Sequence, residues 1–543
     1  MTVSAGWKEL AEQKKKAVDA LIPEEWTLPK EVLDKYDATS TESVLNVPEK
    51  FLSKKEYDIT EHYTVKELLE KLQTGAFSAT DVVKAFSHRA AIATQLTNCC
   101  TELMFEYGAE RAKFLDEYLE KHKKPFGPLH GLPISLKDSF NIPGFDSTLG
   151  FVSKIGNKAG FDTVGDFARL LSDLGAVFYV KTNIPQTLMT GDSENNIFGR
   201  TLNPSNLSWT AGGSSGGEGA LIKMRGSLLG IGTDIAGSIR IPALCNGVYG
   251  FRPTAMRFPM GNQTDPSREC FVGVLATAGP LASDFESIQL LVKETLDQKP
   301  WNYDAECLRL RYQVPEIDNK SKLKIGVIYE DPDLPVHPPV KRIIGEAAKI
   351  LEKEGHSVQK ITSFPSYDDA WALAWSLFQS DPKSTAWENL MSTGERIIDS
   401  LLLPGLEVYG KPPQDIAELI ELKERVKVMT EKWLEIFKNY DVIIAPGSPS
   451  TAPPHDEYGI APYTCAWNVV DFPAACIPFG KADASIDLDD GAQYPEKLEK
   501  IYTHYRPEAF DGGIGSVQVI APHLEDEKLL ACCAIIDKAL NKK

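Results

Sequence analysis

Apolar residues recur at three- and four-residue spacing over Thr64–Gly75 and again over Thr80–Tyr118, the period of helices that bury one face. Asp162–Gly175 carries the same signature. Val164, Phe167, Ala168, Leu171 and Leu174 share a face there, and Gly175 is suited to close the helix. The next residues, Ala176–Lys181 (AVFYVK), form an apolar run of strand length and read as a buried strand. Upstream, Gly127–Phe140 (GPLHGLPISLKDSF) reads as a turn and then a short strand ending near Lys137. Downstream, Lys322–Tyr329, His356–Ile361 and Asp441–Ala445 read as strands, with helices over Pro338–Glu354 and Pro413–Lys438. This alternation predicts an α/β layered fold. Residues 1 to about 60 read as a helical arm with a loop, and 61–543 as one large domain. Phe285–Glu435 reads as a lid-like or peripheral section of that domain. There is no internal repeat and no Ser/Pro-rich linker.

Charge and cysteine usage narrow the function classes. Fifty-eight basic residues stand against 76 acidic ones, for a net charge of −18. An acidic surface repels phosphate backbones, so no nucleic-acid partner is expected. No run of about 18 apolar residues occurs, so no membrane span is expected. The N-terminus (MTVSAGWKELAEQKKKAVDALIPEEW) lacks the apolar stretch of a secretory signal, and the C-terminus (DKALNKK) carries no prenylation or peroxisomal address. The nine cysteines are odd in number, contain no C-x-x-C pair and include the neighbours Cys99–Cys100 and Cys532–Cys533. They read as buried free thiols in a reducing, cytoplasmic compartment. The nine histidines are scattered without metal-ligand spacing, so no metal site is expected.

Three stretches carry candidate chemistry. The first, GGSSGGEGA (Gly212–Ala220), surrounds Ser214 and Ser215 with glycines and leads into a helix over Glu218–Met224. It reads either as a tight turn or as a place where the backbone approaches other groups closely. Gly213–Gly217 also fits the G-x-S-x-G elbow, but that elbow needs a strand directly before it, and Asn203–Thr210 is a poor one. The second stretch is GTDIAGSIRIPA (Gly232–Ala243). It turns at Asp234–Gly237, and Ser238 then opens an apparent helix. Ser238 is either an N-cap or a nucleophile beside unpaired N–H groups that can hold an oxyanion. The third element is Lys137, which ends an apolar strand. It reads either as half of a buried ion pair with Asp138 or Asp234, or as a neutral general base. The second role needs a pKa roughly three units below about 10.4, costing about 4 kcal/mol from burial and neighbours. His130, the nearest imidazole candidate, reads as structural.

In this order GLPISLKD, GGSSGGEGA and GTDIAGSIRIPA resemble the amidase signature family. The spacings agree as well, 77 residues from Lys137 to Ser214 and 24 from Ser214 to Ser238. The likeness is to fungal acetamidase-type amidases and extends through IPEEW (Ile22–Trp26), QLTNC (Gln95–Cys99), VKTNIPQTLM (Val180–Met189) and VQVIAPHLEDEKLL near the C-terminus. It implies a single domain with a central mixed β-sheet covered on both faces by helices. It implies Ser238 as nucleophile, Lys137 as general base and Ser214 as a bridging serine after a cis peptide from Gly213. The N–H groups of Ile235, Ala236, Gly237 and Ser238 would form the oxyanion hole. Many family members have glycine where Ala236 stands. Alanine keeps the donor but disfavours positive φ, so the loop must hold it in an allowed region or differ slightly. Ser215 would support by hydrogen bonding, and Arg240 would pair with Asp234 or another acid.

The family likeness also places Leu188, Met189 and Thr190 near substrate, where Leu188 and Met189 either line an apolar acyl pocket or pack in the core. Cys465–Pro478 resembles the other pocket segment. The implied reaction is hydrolysis of small aliphatic primary amides such as acetamide to acid and ammonia. It would pass through a seryl acyl-enzyme, with no metal or organic cofactor and a small-molecule amide as partner. A homodimer is compatible with this reading. Fatty acyl or aryl amides on the same fold, an amidotransferase-type subunit supplying ammonia, and a non-catalytic binding protein are the alternatives. Retention of Lys137, Ser214 and Ser238 together argues against the last.

Overall fold

The apolar spacing over 80–118 belongs to two helices, not one. Ser78 caps Ala79–Thr97 by accepting from the Asp81 N–H, and Asn98 ends it in the left-handed region at φ 53°. The Asn98 amide then donates to the carbonyls of Phe198 and Arg200 at 2.6 and 3.2 Å, which fixes the break. Strand β1 (Cys100–Leu103) follows, and all four of its residues are buried, so the apolar pattern continues through it before the helix Phe105–His122 begins. The helix expected from Asp162 starts at Asp166, after a 3₁₀ turn over Phe161–Thr163. Val164 precedes it, while Phe167, Ala168 and Leu171 are buried on its inner face and Gly175 (φ 100°) closes it.

The computed structural model describes residues 6–266, 273–318, 320–381, 383–402, 411–489, 491, 496, 498 and 503–542. Cys270 and Lys543 lie outside them. The strands after β1 are β2 (Pro133–Lys137), β3 (Val177–Thr182), β4 (Glu194–Asn195), β5 (Gly199–Arg200), β6 (Leu229–Asp234), β7 (Tyr249–Arg252), β8 (Thr277–Ala282), β9 (Lys324–Val327), β10 (Ser357–Lys360), β11 (Val442–Ala445), β12 (Ala474–Lys481) and β13 (Ile514–Ile520). β4 and β5 pair with each other. The rest form one sheet in the order β1-β3-β2-β6-β8-β7-β12-β13-β11-β9-β10. It is mixed: β3-β2-β6 and β11-β9-β10 are parallel runs, and the pairs between them are antiparallel. Successive strand residues face opposite sides. Every residue of β2, β3, β8 and β11 is buried, so both faces are covered.

The N-terminal arm shares this core. Ala11, Val18, Leu28, Val44 and Val47 are buried in the same apolar cluster as Ile134, Val177 and Ile231. Lys14 of the arm reaches the buried carboxylates of Glu102 and Asp146. The section Phe285–Glu435 is not peripheral as a whole, which corrects the sequence reading. Phe285–Asp297 buries Ile288, Leu291 and Leu296 in the main core, and β9 pairs in parallel with β11 inside the sheet. Tyr367–Phe378 and Ile416–Phe437 instead join a second, aromatic cluster around Trp433 and Trp467.

Candidate active site

Lys137 is the last residue of β2, and its neighbours β3 and β6 shield it on both sides. Its register partner is Thr182, and Leu136 faces Ile231. The side chain is fully buried. Nζ donates to Ser214 Oγ at 2.7 Å and to Thr233 Oγ1 at 2.8 Å, with the Thr233 carbonyl at 3.5 Å. Among the described residues it forms no ion pair. Asp138 accepts from Thr101 Oγ1 at 2.9 Å and from the Leu149 N–H at 2.8 Å, while Asp234 pairs with Arg240. A buried ammonium held only by hydroxyls and a carbonyl loses hydration without full charge compensation. Burial accordingly pushes Lys137 down to about 7, against the pull of Asp234, Glu218 and Asp138.

The Gly213–Ser214 peptide is cis, as the family likeness implies. Ser214 is 2% exposed and sits just before the helix Gly216–Lys223. Thr190 borders this turn, because a Cβ on Gly213 would fall 2.2 Å from the Thr190 carbonyl oxygen. The Thr190 hydroxyl itself is used locally, donating to the Asp192 carbonyl at 2.7 Å. Ser215 does not provide the hydrogen-bonding support expected of it. Among the described residues its hydroxyl is buried without a partner, although its N–H donates to the Ser238 carbonyl at 3.2 Å. That backbone bond ties the two serine-bearing turns together.

Ser238 is 7% exposed and follows the loop that leaves β6. Asp234 organises the loop. Its carboxylate accepts from the Gly237 N–H at 2.8 Å, the Ile239 N–H at 3.2 Å, Arg240 Nε and Nη2 at 3.0 Å each, and the Asn468 amide at 2.8 Å. The Arg240 guanidinium and these donors hold Asp234 well below the usual carboxylate range despite full burial. Arg240, itself fully buried, continues to the Thr464 carbonyl and Gln518 Oε1 at 2.9 and 2.8 Å.

Of the four expected oxyanion donors, Gly237 is thus committed to Asp234. The N–H groups of Ile235, Ala236 and Ser238 make no hydrogen bond among the described residues. Ala236 does not adopt positive φ; Gly237 does, at 127°, and its missing Cβ leaves room for Thr464, whose hydroxyl donates to the Ala236 carbonyl at 2.7 Å. The loop therefore accommodates alanine by placing the strained conformation one residue later.

The Amidase family model matches residues 81–530. An amidase of Gibberella moniliformis is 38% identical over 98% of this chain and 99% of its own length. The chain belongs to the amidase family. An acetamidase of Emericella nidulans is 36% identical across 98% of both chains. Among solved structures, a fatty acid amide hydrolase superposes with a TM-score of 0.90 at 31% identity, covering 99% of this amidase and 96% of its own chain.

The remaining sequence candidates of this amidase divide. Met189 packs against the aromatic cluster, as do Ile235 and Ala236 of the Ser238 loop. Leu188 packs instead with Leu149, Phe151, Ile184 and Leu390. His130 is 1% exposed and accepts from the Phe126 N–H at 3.1 Å, a structural role. Sequence reasoning missed Thr233, the second partner of Lys137, and the Thr464–Asn468–Gln518 brace. Thr233 adjoins Asp234 in the GTD motif and was readable there; the brace comes from chain segments more than 200 residues away. Among the described residues no cluster of His, Cys, Asp and Glu could hold a metal ion, and no helix is long and apolar enough to cross a membrane.

Proposed function

We propose that this amidase hydrolyses small aliphatic primary amides, acetamide among them, to acid and ammonia through an acyl-enzyme on Ser238. The observation that carries the reading is the 2.7 Å contact between Ser214 and a fully buried Lys137 held near neutrality. A lysine in that state accepts a proton near pH 7, which a solvated ammonium does not. In this mechanism Ser238 Oγ attacks the amide carbonyl carbon while its proton passes to Ser214 Oγ and the Ser214 proton passes to Lys137 Nζ. The carbonyl oxygen becomes an oxyanion facing the N–H groups of Ile235, Ala236 and Ser238. Collapse breaks the C–N bond, and the relay returns the proton to the leaving nitrogen. Water then attacks the acyl carbon, losing its proton by the same route; collapse breaks the bond between that carbon and Ser238 Oγ, releases the acid, and the relay returns the proton to Ser238.

The short-amide preference leans on the acetamidase-named relatives in Emericella nidulans and Aspergillus oryzae, each 36% identical. Longer acyl or aryl amides are the second reading. The apolar surroundings of Met189, Ile235 and Ala236, beside a cluster containing Trp371 and Trp375, favour it, as does the likeness to a fatty acid amide hydrolase. Ammonia release across acetamide, butyramide, hexanamide, benzamide and oleamide separates the two. Highest kcat/KM on the two shortest amides is the expected result. A maximum at benzamide or oleamide replaces it with the second reading, and no turnover of any defeats both. We place the enzyme in a reducing, cytoplasmic setting, because the eight cysteines among the described residues are buried free thiols.

A further inference from the structure

Glu218 lies in the glycine-rich motif but has no part in the proton relay. It is fully buried, and no cation pairs with it within ion-pair distance among the described residues. Its two oxygens accept from hydroxyls, Ser135 Oγ at 2.5 Å and Thr182 Oγ1 at 2.8 Å. Ser135 precedes Lys137 by two residues on β2, and Thr182 is the register partner of Lys137 on β3. Glu218 follows Ser214 by four residues. Lys137–Ser214 and Ser135–Glu218 are therefore two neighbouring contacts between β2 and the turn and first helical turn of the glycine-rich motif. The carboxylate fits because Gly230 has no side chain; a Cβ there would lie 1.9 Å from Glu218 Oε2. Gly217 likewise lets the helix seat against β3, since its Cβ would meet the Asn183 nitrogen at 2.3 Å.

We propose that Glu218 is a positioning residue that holds Ser214 in line with Lys137 and supplies negative charge that helps set the base strength of that lysine. The inference rests on the reading of Lys137 as the general base. Other charged or titratable groups act on this pair: Asp138 directly after β2, Asp234 at the end of β6, Tyr179 on β3 and Cys100 on β1. Asp234 pairs with Arg240 and Asp138 also acts on Lys181, and both pull on Lys137 alongside Glu218. The neighbouring Cys99 thiol, together with burial, keeps Cys100 from ionising, and burial does the same to Tyr179. Among the described residues Lys137 is the cation acting on Glu218, and burial lifts that carboxyl to about 7. A carboxyl whose sole role was packing would be served as well by an amide of the same shape.

The test is the pH dependence of fluorophosphonate labelling of Ser238 in wild type, Lys137→Ala, Glu218→Gln and Thr182→Val. This readout needs no knowledge of the natural amide. Removing a nearby anion makes the lysine easier to deprotonate, so Glu218→Gln is expected to move the acid limb down by about one pH unit or more. Thr182→Val, which removes one hydroxyl from the carboxylate, is expected to move it less in the same direction and serves alone if Glu218→Gln does not fold. A lower plateau with an unmoved limb means a packing role and overturns the inference, as does an upward shift. Lys137→Ala labelled as fast as wild type would instead overturn the reading of Lys137 as base, and this inference with it.

Discussion

Asp234 and Glu218 are both fully buried and both act on Lys137, yet their surroundings push them in opposite directions. Asp234 closes the β6 loop with a guanidinium, an amide and two backbone N–H groups, and is held well below the ordinary carboxylate range. Glu218 enters the sheet from the helix with two hydroxyls for company and is lifted to about 7. The contrast separates two jobs. A saturated carboxylate stays charged at every working pH and can fix a loop. An undersatisfied one changes charge near neutrality and can tune a neighbour.

Removing Lys137 breaks the comparison most severely, because Glu218 then loses its cation while Asp234 keeps Arg240. Lys137→Ala is expected to lower kcat/KM by about 10³-fold or more, since a relay without its terminal base forfeits general-base catalysis. Steady-state ammonia release checks this, with circular dichroism confirming the fold. Activity within tenfold of wild type would place the base elsewhere.

Asp234→Asn is the next largest perturbation and acts on stability. It leaves the Arg240 guanidinium buried with its carboxylate gone, at an expected cost of about 3–5 kcal/mol. Because Asp234 stays ionised throughout, the deficit is expected to be constant between about pH 5 and about pH 8. Urea unfolding at both pH values measures it. A deficit that vanishes at one end would mean that the Asp234 carboxylate is not permanently charged.

Much of this arrangement was legible in the sequence. The strand ending at Lys137, the glycine-bounded serines and the Asp234–Arg240 pair follow from local pattern, because each depends on residues within a few positions of one another. The family likeness supplied the cis peptide and the roles, which spacing alone could not. What escaped was non-local. The break at Asn98 is fixed by carbonyls about 100 residues on, and the sheet membership of β9 depends on pairing with β11. Ser215 misled because a buried hydroxyl usually finds a partner, whereas here it has none among the described residues. Glu218 was visible as a letter, but its burial between Ser135 and Thr182 is a product of the fold.

Glu218→Gln offers the finest test of the contrast, through the pH dependence of stability. The native carboxyl titrates at about 7 and the unfolded one near 4.5. Between those values the native state binds more protons than the unfolded chain, so this group's stabilisation is complete below about 4.5 and is lost as pH rises through about 7. Lys137 contributes the opposite slope. Its native value of about 7 lies below 10.5, so its contribution is present above 10.5 and lost as pH falls toward 7. Together the two leave the wild type at its relative minimum near neutrality. Glu218→Gln lacks the first slope, so it is expected to gain about 1–3 kcal/mol relative to wild type between about pH 4.5 and about pH 7.5. Urea unfolding of both proteins across that window reads the difference directly. Parallel curves would mean that Glu218 keeps the same charge over that window and that its environment resembles that of Asp234 after all.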